Sequence, residues 1–342
     1  MKCLITGGAG FIGSHLADYL IAKGHDVHAL DDLSAGSMGN VAHLLSNQHF
    51  KITVGSVLDP RLFRPIMAKC DQVYHLAAAV GVRQVIKDRV RSIRNNILAT
   101  ERVLELAALY GKKVFIASTS EVYGKLMHKG ASAQALCEEG DRMIGPTSVP
   151  RWAYACTKAL DEFLALAYHR EQELHVVIGR FFNTVGPRQT ARYGMVIPRF
   201  VSAALTGAPL TVYGDGTQKR CFLHVHDATR AITALMENSA AEGGIFNIGS
   251  KIEISINDLA QKVRALTDSN SKIVYLPYEQ VYGGEYVDLY RRIPDLVKTC
   301  ATINWEPRIQ LSETLREVIS YERARKHIID KLGTHAPHLV SA

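Results

Sequence analysis

T-G-G-A-G-F-I-G, residues 6–13, follows a short apolar run and leads into Phe11, Ile12, Leu16, Tyr19 and Leu20 at helical spacing. The order is strand, turn, helix. Gly8, Gly10 and Gly13 satisfy G-x-G-x-x-G, and Gly7, Gly10 and Gly13 satisfy a variant of it. Glycines here let the chain turn tightly and let a pyrophosphate approach the helix N-terminus, where unpaired N–H groups and the helix dipole favour negative charge. Asp31 and Asp32 end the second strand. A carboxylate there accepts hydrogen bonds from an adenosine ribose and repels a 2′-phosphate, which predicts NAD rather than NADP.

Outward from this turn, strand-like runs recur at 27–30, 51–54, 72–76, 113–117 and 176–181, with helical segments between most of them. Such alternation predicts an α/β fold, a Rossmann-type doubly wound parallel sheet covered on both faces. After residue 181 glycine and proline recur, at Gly186-Pro187, Gly194, Pro198 and 207–216, which predicts a smaller C-terminal α/β substrate lobe. We place the cofactor domain at 1–182 with a returning segment near 221–250. The second lobe is expected at 183–220 and 251–330, and a polar tail at 331–342.

Size and composition fit this reading. With 342 residues and 47% hydrophobic content the chain can bury a sizeable core. The N-terminus runs straight into a strand, without a leader-like or membrane-length apolar segment, so a cytoplasmic protein with no membrane partner is expected. Six scattered cysteines show no metal-like spacing and read as reduced thiols. The net charge of +7 is spread through mixed-sign helices, with a modest cluster at 83–94. It suits a small anionic ligand and carries no basic stripe for nucleic acid.

Chemistry enters with Y-A-C-T-K. Tyr154 and Lys158 stand one helical turn apart on one face. An ammonium so placed favours the phenolate, so that the tyrosine can take a proton near neutral pH. With these residues the chain resembles the extended short-chain dehydrogenases/reductases that act as nucleotide-sugar epimerases, dehydratases and decarboxylases. H-L-A-A (75–78), Asn96, S-T-S-E-V-Y-G (118–124), R-F-F-N-T-V-G-P-R (180–188), G-D-G-T-Q-K-R (214–220), F-N-I-G (246–249) and N-W-E-P (304–307) follow the family pattern in order, over roughly 1–325. The resemblance implies that hydride leaves a sugar carbon for NAD while Tyr154 and Lys158 handle the hydroxyl proton, with Thr119 sharing the hydrogen bond and Ser120 beside it. It implies Gly7, Gly10, Phe11, Ile12, Gly13, Asp31, Asp32, Ser56, Val57, Leu76, Ala77, Ala78, Asn96 and Lys158 as cofactor contacts. Gly55-Ser56-Val57 departs from the usual Gly-Asp, and Ala99 replaces a common glycine.

The strand end at 118–124 separates the reactions open to such a family. Oxidation at C4 of a sugar gives a 4-keto sugar. An epimerase returns hydride to the other face and needs no carboxylate, whereas a 4,6-dehydratase pairs an acid with a base, and Ser120 stands where it would carry aspartate. A serine hydroxyl is a poor general acid for water loss. T-S-E-V-Y-G and the P-R-W before Tyr154 resemble UDP-glucuronate decarboxylases (UDP-xylose synthases), in which a C5 carboxylate beside a C4 ketone is lost as carbon dioxide, giving UDP-xylose or a 4-keto pentose. Glu121 is then expected to work at C5. Arg292, in Y-R-R-I-P-D, is expected near the substrate carboxylate, a bidentate task that suits a guanidinium. The same resemblance implies Asn183, Val196, Arg199, Tyr213, Gln218, Arg220 and Arg292 for the UDP-sugar, and a homodimer through the helix carrying Leu160 to Tyr168. The alternatives are a UDP-sugar 4-epimerase, on UDP-glucose/galactose or UDP-glucuronate/galacturonate, and a non-catalytic nucleotide-binding relative. Loops around 80–84 and 282–292 are expected to read the sugar's configuration. H-V-H-D (224–227) has the look of a metal fragment, yet strand alternation supplies it and the chemistry needs no metal.

Overall fold

The computed structural model describes residues 1–78, 88–125, 135–191, 194–282 and 291–332. The expected configuration-reading loops at 80–84 and 283–290, residues 83–87 of the basic cluster, and the tail from 333 lie outside them.

The strands are β1 Lys2–Thr6, β2 Asp26–Asp31, β3 Phe50–Val54, β4 Gln72–His75, β5 Lys113–Thr119, β6 Val176–Phe181, β7 Thr184–Val185, β8 Leu210–Tyr213, β9 Lys219–Cys221, β10 Leu223–His224, β11 Gly244–Ile248, β12 Glu253–Ser255 and β13 Ile273–Leu276. The helices are α1 Phe11–Ala22, α2 Pro60–Lys69, α3 Arg89–Leu109, α4 Arg151–Gln172, α5 Val196–Thr206, α6 Val225–Glu237, α7 Ile256–Leu266, α8 Tyr278–Tyr282, α9 Val297–Ile303 and α10 Leu311–Leu332. Lys331 therefore belongs to a helix rather than to a tail.

Seven strands pair in the order β11-β6-β5-β4-β1-β2-β3, every pairing parallel. A parallel sheet covered on both faces needs strands apolar on both sides. The runs C-L-I in β1, V-F-I in β5 and V-V-I in β6 meet that need and are fully buried. On one face Leu16 and Leu20 of α1 meet Ile232 and Leu235 of α6. On the other, Phe63 and Met67 of α2 meet Val103 and Leu104 of α3 and Ala165 of α4. A separate cluster of Phe200, Val201, Val212, Leu259, Val263 and Leu315 forms the core of the second lobe, where β8 pairs with β13 and β9 with β12.

Strand order reverses between β1 and β4. At such a point the connecting helices leave on opposite faces and open a crevice above the carboxyl ends of the strands. The glycine turn after β1, His75 at the end of β4 and Thr119 at the end of β5 all reach that edge.

Candidate active site

A cavity of about 540 Å³ occupies this crevice. At one end it is walled by the turn into α1. Gly7 has φ +75°, and a Cβ on Gly13 would lie 2.1 Å from the Gly7 carbonyl oxygen, so both positions need glycine. Gly10 caps α1 with no side-chain hydrogen bond, which leaves the first-turn N–H groups facing the cavity as an anion site. Asp31 is buried at the end of β2, where it accepts the N–H groups of Ala9 at 2.9 Å and Leu33 at 2.8 Å. Burial raises its pKa, and those donors oppose the rise. A Cβ on Gly36 would lie 2.8 Å from both Asp31 oxygens, so the loop packs against the carboxylate only with glycine there. Asp32 instead folds onto the N–H and hydroxyl of Ser34. An anion cradle at a helix start and a cavity-lining carboxylate one strand away fit the pyrophosphate and ribose of a dinucleotide. Ser56, Val57, Leu76, Ala77, Ala78 and Asn96 line the same space.

The other end holds the proton-handling groups. β5 runs to Thr119, two residues beyond its apolar run, and a 3₁₀ turn over Ser120–Tyr123 follows. The Thr119 hydroxyl accepts the N–H of Glu121 at 3.2 Å, so the turn presents Thr119, Ser120 and Glu121 together. Tyr154 and Lys158 meet them from the first two turns of α4. Burial raises the Tyr154 phenol's pKa, and the negative charges of Glu121 and Asp161 add to the rise. Lys158 donates to Asp161 at 3.0 Å.

Glu121 lies between two arginines. One carboxylate oxygen is 2.6 Å from Arg292 Nη2 and the other 2.9 Å from Arg151 Nη2. Burial alone would raise its pKa; Arg292 and Arg151 outweigh it and bring the group down to about 2. Glu121 is thus ionised at neutral pH and is no proton donor there. Arg151 opens α4, where a positive charge opposes the helix dipole; the carboxylate offsets it. Arg292 is fixed by its neighbours. Ile293 accepts the Leu136 N–H at 2.8 Å, Asp295 donates to the Leu136 carbonyl at 2.9 Å, and Asn247 Nδ2 donates to the Leu136 and Asp295 carbonyls.

The cavity gathers every residue expected at the cofactor, all the expected catalytic ones, and Asn183. Val196, Arg199, Tyr213, Gln218 and Arg220 stand apart from its lining, in the second lobe. There Arg199 lies 3.9 Å from the Tyr213 ring centre, so one ring face is already covered. Gln218 donates to the Tyr213 carbonyl and the Tyr278 hydroxyl. Sequence reasoning missed Arg151 as a partner of Glu121, although P-R-W stands just before Tyr154, and missed Asp161. Among the described residues His224, His226 and Glu317 bring potential metal-ligand atoms within 4.8 Å of one another. His224 caps α6 with Nδ1, accepting the His226 N–H at 3.1 Å. Its Nε2 lies 3.2 Å from Glu317 without a hydrogen bond.

Residues 4–318 match the family model described as GDP-mannose 4,6 dehydratase. A UDP-N-acetyl-alpha-D-glucosaminuronate decarboxylase of Bacillus cytotoxicus is 42% identical, over 94% of this chain and 98% of its own. UDP-glucuronic acid decarboxylase 1 of Arabidopsis thaliana is 36% identical, over 95% and 70%. Among solved structures, the UDP-glucuronic acid 4-epimerase of Bacillus cereus, in complex with UDP-glucuronic acid and NAD, superposes with a TM-score of 0.83 at 30% identity, covering 95% of this chain and all of that one.

Proposed function

The chain belongs to the GDP-mannose 4,6-dehydratase family of NAD-dependent nucleotide-sugar enzymes, and from that premise we propose that it decarboxylates a UDP-hexuronate. The observation that carries this reading is Glu121 clamped by Arg151 and Arg292 beside Tyr154. Arg151 and Arg292 bring two guanidiniums to the cavity wall, and a guanidinium there suits a substrate carboxylate, which an epimerase of neutral sugars does not meet.

The start of α1 and Asp31 would hold NAD, which would supply a reversible hydride acceptor for sugar C4. Tyr154 takes the C4 hydroxyl proton, supported by Lys158, and as a phenol then holds the new ketone oxygen. Arg292 holds the C6 carboxylate in place. As the C5–C6 bond breaks, its electron pair moves into the C4–C5 enolate, whose oxygen is held by Tyr154 with Thr119 and Ser120 at hand. A solvent proton then reaches C5. Asn183 and the second-lobe group of Val196, Arg199, Tyr213, Gln218 and Arg220 are assigned to the UDP part.

The cofactor lobe at 1–182 with 221–250, and the substrate lobe at 183–220 with 251–330, are part of this reading. So is a homodimer. Leu164, Leu166 and Tyr168 of α4 pack inward, whereas Leu160 is 46% and Phe163 67% exposed. A cytoplasmic location agrees with six free thiols, and no described helix is long and apolar enough to cross a membrane.

The test is incubation with UDP-glucuronate and, separately, with its 2-acetamido counterpart, following product mass and released carbon dioxide. Loss of carbon dioxide from either is the expected result, and the better substrate names the uronate. An isomer of unchanged mass would establish instead the 4-epimerase reading that the Bacillus cereus structure favours. No turnover would overturn both.

A further inference from the structure

The reaction just described leaves the buried carboxylate of Asp161 without a role. It lies three residues after Lys158, on the same helix face, with both side chains almost wholly buried, at 3% and 1% exposure. An exposed pair at this spacing would read as a solvated surface contact. Taking both charges out of water carries a desolvation cost that an apolar residue at 161 would avoid.

Burial raises the Asp161 pKa, and Lys158 with Thr100 opposes the rise. Burial, then Lys158, brings the His75 pKa down to about 3, so this ring is neutral, with one N–H and one lone pair. Thr6 Oγ1 lies 2.7 Å from Nδ1, and Thr100 Oγ1 lies 3.3 Å from Nε2. Thr100 also hydrogen-bonds Asp161. One consistent direction runs from the Thr6 hydroxyl to His75, from His75 to Thr100, and from Thr100 to Asp161. Asp161 then accepts from Thr100 and from Lys158, as a carboxylate does.

Two other carboxylates around α4 are each ion-paired. Glu121 on the β5 turn is held by Arg151 of α4 and by Arg292. Glu162, next to Asp161, is bound by Arg180 of β6 and by Arg142. His75 of β4 is neutral. Lys158 lines the cavity with Tyr154, and Asp161 lies behind it as its ion-pair partner.

We propose that Asp161 is a positioning residue for the catalytic pair, its carboxylate fixing Lys158 and offsetting part of the ammonium's pull on the Tyr154 proton. This rests on Tyr154 and Lys158 being the proton-handling pair, whichever sugar is the substrate. A helix with an apolar residue at 161 would release the phenolic proton at lower pH; this one holds it longer.

The test titrates Tyr154 in the NAD-loaded protein by tyrosinate absorbance, with Tyr154→Phe in the same background as the blank. Asp161→Asn lowers the midpoint by about one pH unit, and Asp161→Glu restores it. A midpoint unchanged or raised in Asp161→Asn overturns the proposal. Should that variant fail to fold, Lys158→Met is compared with Lys158→Met carrying Asp161→Leu, which replaces the buried pair by apolar groups. A lower midpoint in the double variant supports the proposal, and equal midpoints overturn it. The readout uses no sugar, so failure to release carbon dioxide and failure here are separate results.

Discussion

Replacing Glu121 by glutamine removes one charge from the centre of the site while keeping its shape. In the folded protein burial would raise this carboxyl, but Arg292 at 2.6 Å and Arg151 at 2.9 Å bring it from an ordinary 4.5 to about 2. Each tenfold change in proton affinity corresponds to about 1.4 kcal/mol, so the ionised form contributes about 3 kcal/mol to folding at neutral pH. The folded state binds this proton more weakly than the unfolded one. The contribution is therefore complete above about 4.5 and is lost as pH falls toward about 2. Urea unfolding of Glu121→Gln at neutral pH should show a loss of about 3 kcal/mol, and the gap to the native chain should close in that acid window. Carbon dioxide release should fall about 100-fold, because Arg292 loses the charged partner that orients its guanidinium. NAD binding, read by fluorescence titration, should be unchanged, since Asp31 and the start of α1 lie at the other end of the cavity. A stability difference independent of pH, or native rates of carbon dioxide release, would refute this account.

Gly13→Ala places a methyl 2.1 Å from the Gly7 carbonyl; NAD affinity should be lost and the melting temperature should fall, and intact NAD binding would contradict the assigned anion cradle. Phe163→Glu puts a charge on the exposed side of α4; light scattering should report a monomer with an unchanged circular dichroism spectrum, and an unaltered mass would show that this face is not the subunit contact.

Much of the fold can be read from the chain because buried parallel strands must be apolar on both faces, and because the turn into α1 admits only glycine at Gly7 and Gly13. Tyr154 and Lys158 were legible for a similar reason: four residues fix one helical face. Glu121 was visible as a carboxylate, but its counterions were not. Arg292 reaches it from a distant segment, and a sequence does not say that two such side chains meet. Asp161 was hidden by its own spacing, because three residues from a lysine on a helix ordinarily means a solvated pair, and only burial separates the two cases. Tyr213 and Arg199 came from resemblance, and their packing against each other depends on how β8 and α5 meet.

The bridge between Leu136 and the segment carrying Arg292 separates the anchoring of a charge from the shape of its surroundings. Backbone hydrogen bonds on both sides of Leu136, tied in by Asn247, set the arginine's place from within the protein. A guanidinium placed this way owes its position to the backbone of the fold, so side-chain changes elsewhere in the cavity can reshape the site while leaving that charge where it is.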